Sequence, residues 1–185
     1  MKVVATKLPG VVVIEPAVFL DARGSFRTTF RADAFESAGL EHRFVQDNVS
    51  ESRRGVLRGL HFQHPQGQGK LVYVLRGEVF DVAVDVRVDS PTFGCATWTS
   101  LSDENRLQVF IPPGFAHGFV VTSDYAVVAY KCSTLYAPAS EQVIRWNDPS
   151  LGIPWPVSAP KLVPRDADAP LLADLPRELL PRMTP

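Results

Sequence analysis

Cysteine is scarce in this sequence. Cys95 and Cys132 are the only two, they lie far apart, and neither belongs to a C-x-x-C pair. This scarcity argues against a disulfide framework and against a structural zinc site. We expect both cysteines to be reduced residues of the core.

An excess of one charge and a long hydrophobic run are also missing. The formal net charge is -1 at pH 7, so there is neither a basic footprint for nucleic acid nor an acidic tail. Residues 1–7 lack the apolar region of a signal peptide, and no apolar run approaches membrane-spanning length. We therefore predict a cytoplasmic protein that binds small molecules or protein subunits, with no nucleic acid and no membrane among its partners.

Two common families of catalytic motif are absent as well. No glycine-rich phosphate loop leads into a helix, which excludes a Walker or Rossmann nucleotide site. No G-x-S-x-G element is present, and no particular serine stands out for hydrolysis by a Ser/His/Asp triad.

Short strands dominate what is present. Roughly ten β-branched or alternating segments follow one another at close spacing, with a single early helix at residues 32–38. Residues 70–75 and 78–87 flank Gly77 and read as a hairpin. This pattern predicts an all-β protein, an antiparallel sandwich or barrel with short peripheral helices.

The chain of 185 residues fits one domain that spans residues 1–185. Within it we expect N-terminal strands at residues 1–31 and a core at about 40–147. Residues 148–185 are rich in proline, which forbids long regular elements. We predict that this tail wraps the barrel.

Residues 56–63, VLRGLHFQ, form the most informative strand. Regular alternation places Arg58, Leu60 and Phe62 on one face and His61 on the other. A histidine held among apolar neighbours in a strand is a candidate general base. The alternative is a buried histidine that is satisfied by a backbone carbonyl.

A pocket with histidine, lysine and tyrosine suits proton transfer beside a carbonyl. The histidine removes a carbon-bound proton, a cation stabilises the enolate oxygen, and an acid on the opposite face returns a proton. Lys70 fits the electrostatic role, because nothing in the sequence indicates a depressed pKa. For Tyr130 the alternative is core packing, and for residues 165–168 it is a solvated loop.

Three histidines in the sequence raise the question of a metal site. Residues 112–117, PPGFAH, resemble the second signature of cupin jelly rolls, and the upstream ligand position reads HFQH at residues 61–64. On a regular strand His61 and His64 point to opposite faces, so they do not chelate one metal together. We predict no metal, and keep a metal-dependent cupin that uses His61, His64 and His117 as an alternative.

Longer motifs resemble the dTDP-4-dehydrorhamnose 3,5-epimerase family over nearly the whole chain. They are RGVLRGLHFQ (54–63), GKLV (69–72), GEVFDVAVD (77–85), SPTFG (90–94), IPPGFAHGF (111–119), YKC (130–132), WNDP (146–149) and DADAPLL (166–172). The resemblance implies a cupin-type jelly roll, a homodimer in which strands cross between subunits, and a site without metal or organic cofactor.

The resemblance also implies roles for particular residues. His61 would be the proton acceptor with Asp166 as its orienting partner, and Tyr130 would be the proton donor on the opposite face. Lys70 would stabilise the enolate, and Tyr136 would stack on the thymine ring. The remaining implied contacts to the nucleotide sugar come from Arg23, Phe26, Thr28, Gln46, Asp47, Asn48, Arg58, His117, Glu141 and Arg165.

This chain departs from the family pattern at Thr28. The family has a glutamate there, and a hydroxyl does not replace the charge of a carboxylate. The expected reaction inverts carbons 3 and 5 of dTDP-4-dehydro-6-deoxy-D-glucose and gives dTDP-4-dehydro-L-rhamnose. Two further alternatives remain open: an epimerase that inverts only one carbon of a related sugar, and a jelly roll that binds a nucleotide sugar without turning it over.

Overall fold

The computed structural model describes residues 1–40 and 43–183. Strands dominate this part of the chain, which confirms the all-β prediction. The strands are β1 (Lys2–Ala5), β2 (Val12–Glu15), β3 (Val18–Asp21), β4 (Gly24–Arg27), β5 (Gln46–Arg53), β6 (Leu57–Gln63), β7 (Lys70–Arg76), β8 (Glu78–Asp85), β9 (Ala96–Ser102), β10 (Gln108–Ile111), β11 (Phe115–Val121), β12 (Tyr125–Cys132) and β13 (Glu141–Val143). The helices are α1 (Ala32–Ser37) and α2 (Pro164–Ala167), and 3-10 turns lie at Pro138–Ser140, Pro149–Leu151, Leu172–Asp174 and Arg177–Leu179.

The strands build two antiparallel sheets that pack as a cupin-type jelly roll. The six-stranded sheet has the order β1-β2-β10-β7-β12-β5, and the five-stranded sheet has the order β13-β6-β11-β8-β9. β3 and β4 pair only with each other among the described strands, and we call residues 18–27 the N-terminal arm. The sheets therefore supply two facing walls, and the arm belongs to neither.

Apolar side chains fill the space between the sheets and also cover their outer faces. In β8, Val79 and Ala83 belong to the inner cluster, whereas Val82 and Val84 pack outside, under the tail. Because β8 is covered on both sides, apolar residues occur on both of its faces. The opposite sheet is covered on its outer face by α1, through Phe35.

The predicted hairpin between β7 and β8 is wrong. β7 pairs with β10 and β12, and β8 pairs with β9 and β11, so the chain changes sheets at Gly77. Gly77 has φ +78°, and a Cβ there would lie 2.0 Å from the Tyr125 carbonyl oxygen. Only glycine fits at this position. In the sequence, the same glycine between two strands is typical of the tight turn of a hairpin.

The proline-rich tail lies against the five-stranded sheet. Leu172 and Leu180 are buried in the outer cluster together with Phe62 and Val84. Residue 161 forms a parallel bridge with Val56 at the start of β6. These contacts bring α2 beside β6, where it reaches the space between the sheets. Within residues 1–40 and 43–183, no helix combines the length and the apolar character needed to cross a bilayer.

Candidate active site

A cavity of about 530 Å³ opens between the two sheets and takes in nine of the residues predicted for the site. This volume lies in the range of small-molecule sites. The nine residues are Arg58, His61, Lys70, His117, Tyr130, Tyr136, Glu141, Arg165 and Asp166.

A bulge in β6 places Arg58 and His61 on the same wall, so the predicted alternation is wrong between them. His61 pairs with His117 on β11, and Arg58 pairs with Phe119, so three steps along β6 match two steps along β11. The extra residue shifts the alternation of side chains between the two faces of the strand, so Arg58 and His61 share one face. Gly59 sits in this bulge with φ +124°, and a Cβ there would lie 2.5 Å from the Cα atom of Gly118.

His61 is held by a carboxylate from the tail. Its Nε2 lies 2.8 Å from Oδ1 of Asp166, the residue that α2 brings against β6. Because an ionised carboxylate only accepts hydrogen bonds, the ring proton lies on Nε2. Nδ1 of His61 is then the nitrogen with a lone pair that can accept a proton.

Asp166 itself is buried and ionised. Burial acts to raise the pKa of its carboxyl group, but the hydrogen bond from His61, the backbone N–H of Gly59 and the charge of Arg165 outweigh it. The Gly59 N–H donates to Oδ2 at 3.1 Å. The net result is a pKa below the usual value, so Asp166 remains charged when it orients His61.

A second histidine and aspartate pair lies beside the first. His117 on β11 has its Nε2 2.8 Å from Oδ2 of Asp81 on β8. His117 and Asp81 are both buried, and His117 still lines the cavity. The sequence predicts His117 as a substrate contact, but its hydrogen bond to Asp81 is not apparent from spacing alone.

Lys70 and Tyr130 come from the opposite sheet. Lys70 lies on β7 and Tyr130 on β12, and their strands pair so that both side chains face inward. Burial lowers the pKa of the Lys70 ammonium, against the opposing influence of Cys132, Glu141 and Asp81. The sequence gives no sign of this depression, which follows from the position of Lys70 between the sheets.

Tyr130 retains its hydroxyl proton in the free protein. Burial raises the pKa of its hydroxyl, which the nearby Cys132 and Glu141 raise further, whereas Arg58 lowers it. No hydrogen bond engages the hydroxyl within residues 1–40 and 43–183. Tyr130 is therefore protonated near neutral pH, and its O–H is available to a ligand between the sheets.

A chain of polar side chains lines one end of the cavity. The Tyr136 hydroxyl donates to Glu141 at 2.8 Å, and Glu141 forms an ion pair with Arg165. Arg165 also lies 3.4 Å from Asp166 and 3.2 Å from Nε2 of His61. This chain links the exposed ring of Tyr136 to the histidine at the centre.

Comparison with known proteins assigns the family. The sequence profile described as dTDP-4-dehydrorhamnose 3,5-epimerase matches residues 5–174. This chain belongs to the dTDP-4-dehydrorhamnose 3,5-epimerase family. A relative of that name from Methanothermobacter thermautotrophicus is 56% identical over 154 residues, which cover 83% of each chain.

Solved and characterised relatives include both kinds of epimerase. A dTDP-6-deoxy-D-glucose-3,5-epimerase from Legionella pneumophila, crystallised with dTDP-4-keto-L-rhamnose, is 50% identical, with a TM-score of 0.97 over 100% of this chain and 99% of its own. A dTDP-4-dehydrorhamnose 3-epimerase from Streptomyces niveus is 46% identical over 169 residues, which cover 90% of this chain and 82% of the relative.

Six residues that the resemblance to the epimerase family implies lie outside this cavity. Arg23 and Phe26 line a separate cavity at the N-terminal arm, and Thr28 lines another beside α1. The other three lie on β5, where Gln46 accepts the backbone N–H of Tyr136, Asp47 pairs with Lys131, and Asn48 bonds to Cys132. Within one chain, therefore, the cavity brings together nine of the residues predicted for the site and leaves these six outside it.

The cavity also contains residues that the sequence does not single out. They are Val56, Leu57, Phe119, Lys161, Leu162 and Val163. Residues 161–163 belong to the proline-rich tail, where no periodicity marks which side chains face inward. Their approach depends on the bridge to β6, which is a contact between segments far apart in sequence.

The three histidines of the alternative metal site do not converge. Nε2 of His61 and of His117 each face a carboxylate, and His64 lines a different cavity beside the C-terminal residues Arg177 and Arg182. Across the described residues, no three His, Cys, Asp or Glu side chains are grouped as metal ligands.

Proposed function

We propose that this protein is an isomerase that inverts carbons 3 and 5 of dTDP-4-dehydro-6-deoxy-D-glucose, giving dTDP-4-dehydro-L-rhamnose without metal or organic cofactor. One observation carries the proposal. His61 and Asp166 lie on one wall of the cavity, and Lys70 and Tyr130 lie on the facing wall. A sugar ring between the walls presents its two faces to a base and to an acid.

The first step removes a proton from carbon. Carbons 3 and 5 are both adjacent to the ketone at carbon 4, so the electrons of a broken C–H bond move to the ketone oxygen. Nδ1 of His61 accepts the proton, and the charged Asp166 stabilises the imidazolium that forms. The Lys70 ammonium stabilises the enolate oxygen.

The second step adds a proton to the opposite face. The Tyr130 hydroxyl donates to the carbon of the enolate, the carbonyl re-forms, and the configuration is inverted. His61 has then gained one proton and Tyr130 has lost one. Exchange with water restores both groups before the second carbon reacts.

The nucleotide lies toward the open end of the cavity. Tyr136 is half exposed there and offers its ring to the thymine base, while Arg58 and Arg165 face the diphosphate. Inversion of one carbon and inversion of both use the same base and acid. The similarity to the Streptomyces niveus 3-epimerase makes this distinction worth measuring.

Proton exchange tests the proposal. In deuterated water with dTDP-4-keto-6-deoxyglucose, proton NMR is expected to show loss of the signals at carbons 3 and 5. Exchange at one carbon would replace the proposal with a single epimerase. Binding without exchange at either carbon would favour the nucleotide-sugar binding module.

We also propose a homodimer that exchanges the N-terminal arm. The arm exposes Phe19, Leu20 and Phe26, with relative accessibilities of 63%, 72% and 68%. β5 is an end strand of the six-stranded sheet, and its Val49 is exposed. An unpaired edge beside exposed apolar residues favours addition of another strand. The partner's arm on this edge would bring Arg23 and Phe26, followed directly by Thr28, to the cavity beside Gln46, Asp47 and Asn48.

Mixing two inactive variants tests the exchange of arms. In a mixed dimer of Arg23→Ala and His61→Ala chains, one of the two sites has an intact body and an intact arm. Equal mixing after reversible dissociation should restore about one quarter of the wild-type activity. The proposal would be contradicted if mixed dimers form without recovery of activity, or if the wild-type protein sediments as a monomer.

We also propose a domain organisation and a cellular location. The chain acts as a single domain of residues 1–185, because its tail supplies Leu172 to the packing and Asp166 to the cavity. It works in the cytoplasm, where the free thiols of Cys95 and Cys132 remain reduced.

A further inference from the structure

The tail is fixed against β6 at residue 161. The backbone N–H of Leu57 donates to the Lys161 carbonyl at 3.0 Å, and the N–H of Lys161 donates to the Gly55 carbonyl at 2.7 Å. These two bonds form the parallel bridge between Val56 and Lys161. The position of the Lys161 backbone is therefore set by main-chain contacts that do not depend on its side chain.

This bridge determines the direction of the Lys161 side chain. Bridged residues of neighbouring strands project to the same side, so Lys161 lies on the side of Val56. Arg58 follows Val56 by two residues and precedes the bulge at Gly59, so it shares that side. Val56, Arg58 and Lys161 all line the cavity between the sheets.

Three basic residues of the cavity wall, Arg58, Lys70 and Lys161, lack a carboxylate partner within the described chain. Lys70 lies on the facing sheet and donates to the His61 carbonyl at 3.5 Å, whereas Arg58 and Lys161 lie together at the start of β6. Arg165 is paired with Glu141 and Asp166, whereas Arg58 donates only to the Ser52 hydroxyl. Lys161 is exposed, and its ammonium has no ion pair or hydrogen bond with any described residue. The start of β6 therefore presents two neighbouring cations without local compensation.

We propose that Lys161 binds the diphosphate of the nucleotide sugar together with Arg58, and so increases selectivity for nucleoside diphosphates over uncharged nucleosides. This inference rests on the proposed function and adds a contact to it. The expected ligand carries two adjacent negative charges, which suits two adjacent cations. Because Lys161 is exposed, its contribution should be moderate and should weaken as salt is added.

Calorimetric binding of dTDP and of thymidine to Lys161→Met tests this inference. Methionine retains the length of the side chain and removes its charge, and the backbone bridge remains. We expect the dissociation constant for dTDP to rise by about five- to tenfold at low salt and that for thymidine to change less than twofold. Lys161→Arg should restore most of the affinity for dTDP.

The matched control is Lys2→Met, which removes an exposed lysine that pairs with Glu15 on β1 and β2. It should leave both affinities unchanged. Unchanged dTDP affinity in Lys161→Met would overturn this inference alone, as would an equal loss for dTDP and thymidine. If the wild-type protein binds neither ligand, the proposed function fails, and this inference fails with it.

Discussion

The two histidine and aspartate pairs of the cavity differ in how they are supported. His61 and His117 face each other across β6 and β11, and each has Nε2 2.8 Å from an aspartate oxygen. Asp81 comes from β8, the strand next to β11, so the sheet itself holds His117. Asp166 comes from α2, 105 residues beyond His61, so the tail holds His61.

Their exposure differs as well. The His61 side chain is 22% exposed and the His117 side chain is 8% exposed, while both aspartates are 2% exposed. A carboxylate partner is thus not sufficient to identify the base. The more open pair, next to Arg165 and Glu141, is the one placed to exchange protons with a ligand. The closed pair is placed to fix the shape of the wall.

Removing each histidine should separate these roles most strongly. We expect His61→Ala to lower kcat by about 10²- to 10⁴-fold, the usual contribution of a general base. His117→Ala should lower kcat by about tenfold or less, as expected for a lost hydrogen bond. Steady-state turnover with dTDP-4-keto-6-deoxyglucose measures both, and equal losses would remove the distinction.

Removing the charge of each aspartate should lower kcat more for Asp166 than for Asp81, and this difference should be smaller than that between the two histidine variants. Asp166→Asn leaves the ring of His61 without a charged partner and should lower kcat by about 100-fold. Asp81→Asn should affect KM more than kcat, because in the proposed mechanism His117 contacts the substrate and does not accept the proton. A comparable loss of kcat in Asp81→Asn would place the base at His117.

The Asp166 interaction should also depend on pH. Its pKa is lower in the folded protein, so it contributes stability above the unfolded value of about 3.9 and loses it as pH falls through the folded value. The difference in unfolding free energy between wild type and Asp166→Asn should therefore shrink as the pH falls below about 4. Urea unfolding across this range measures it.

Weakening the packing of the tail should have the smallest effect on turnover. It should affect the His61–Asp166 pair and leave the His117–Asp81 pair unchanged. Leu172 is buried under the five-stranded sheet, and its replacement by alanine should cost about 2–5 kcal/mol of stability. Turnover should then fall at temperatures at which nucleotide binding persists, because Asp166 moves with the tail. Simultaneous loss of both functions at global unfolding would show that the tail and the sheets form one cooperative unit.

Local patterns account for much of the fold. Alternation in β8 and the segments around it predicts strands, and the helix predicted at residues 32–38 is found at Ala32–Ser37. The change of sheet at Gly77 is not predictable in this way, since a hairpin and a crossing share the same local sequence. The partners of β7 and β8 decide between them, and those partners lie far away in the chain.

The site is predictable to a similar extent. The resemblance places nine of its residues in the cavity, but regular alternation puts Arg58 and His61 on opposite faces. The bulge that unites them depends on the close contact of Gly59 with Gly118 across two strands. The sequence does not identify Lys161, because the tail has no periodic pattern that shows which side chains face the cavity. Its orientation depends on the bridge between Lys161 and Val56.

The central claim is that base and acid act from facing sheets. Deuterium incorporation with Tyr130→Phe tests it most directly, because His61 can still exchange a proton when no acid serves the opposite face. We expect Tyr130→Phe to incorporate deuterium at carbons 3 and 5 with the configuration retained, and His61→Ala to incorporate none. Incorporation in His61→Ala together with none in Tyr130→Phe would reverse the two roles and contradict the account.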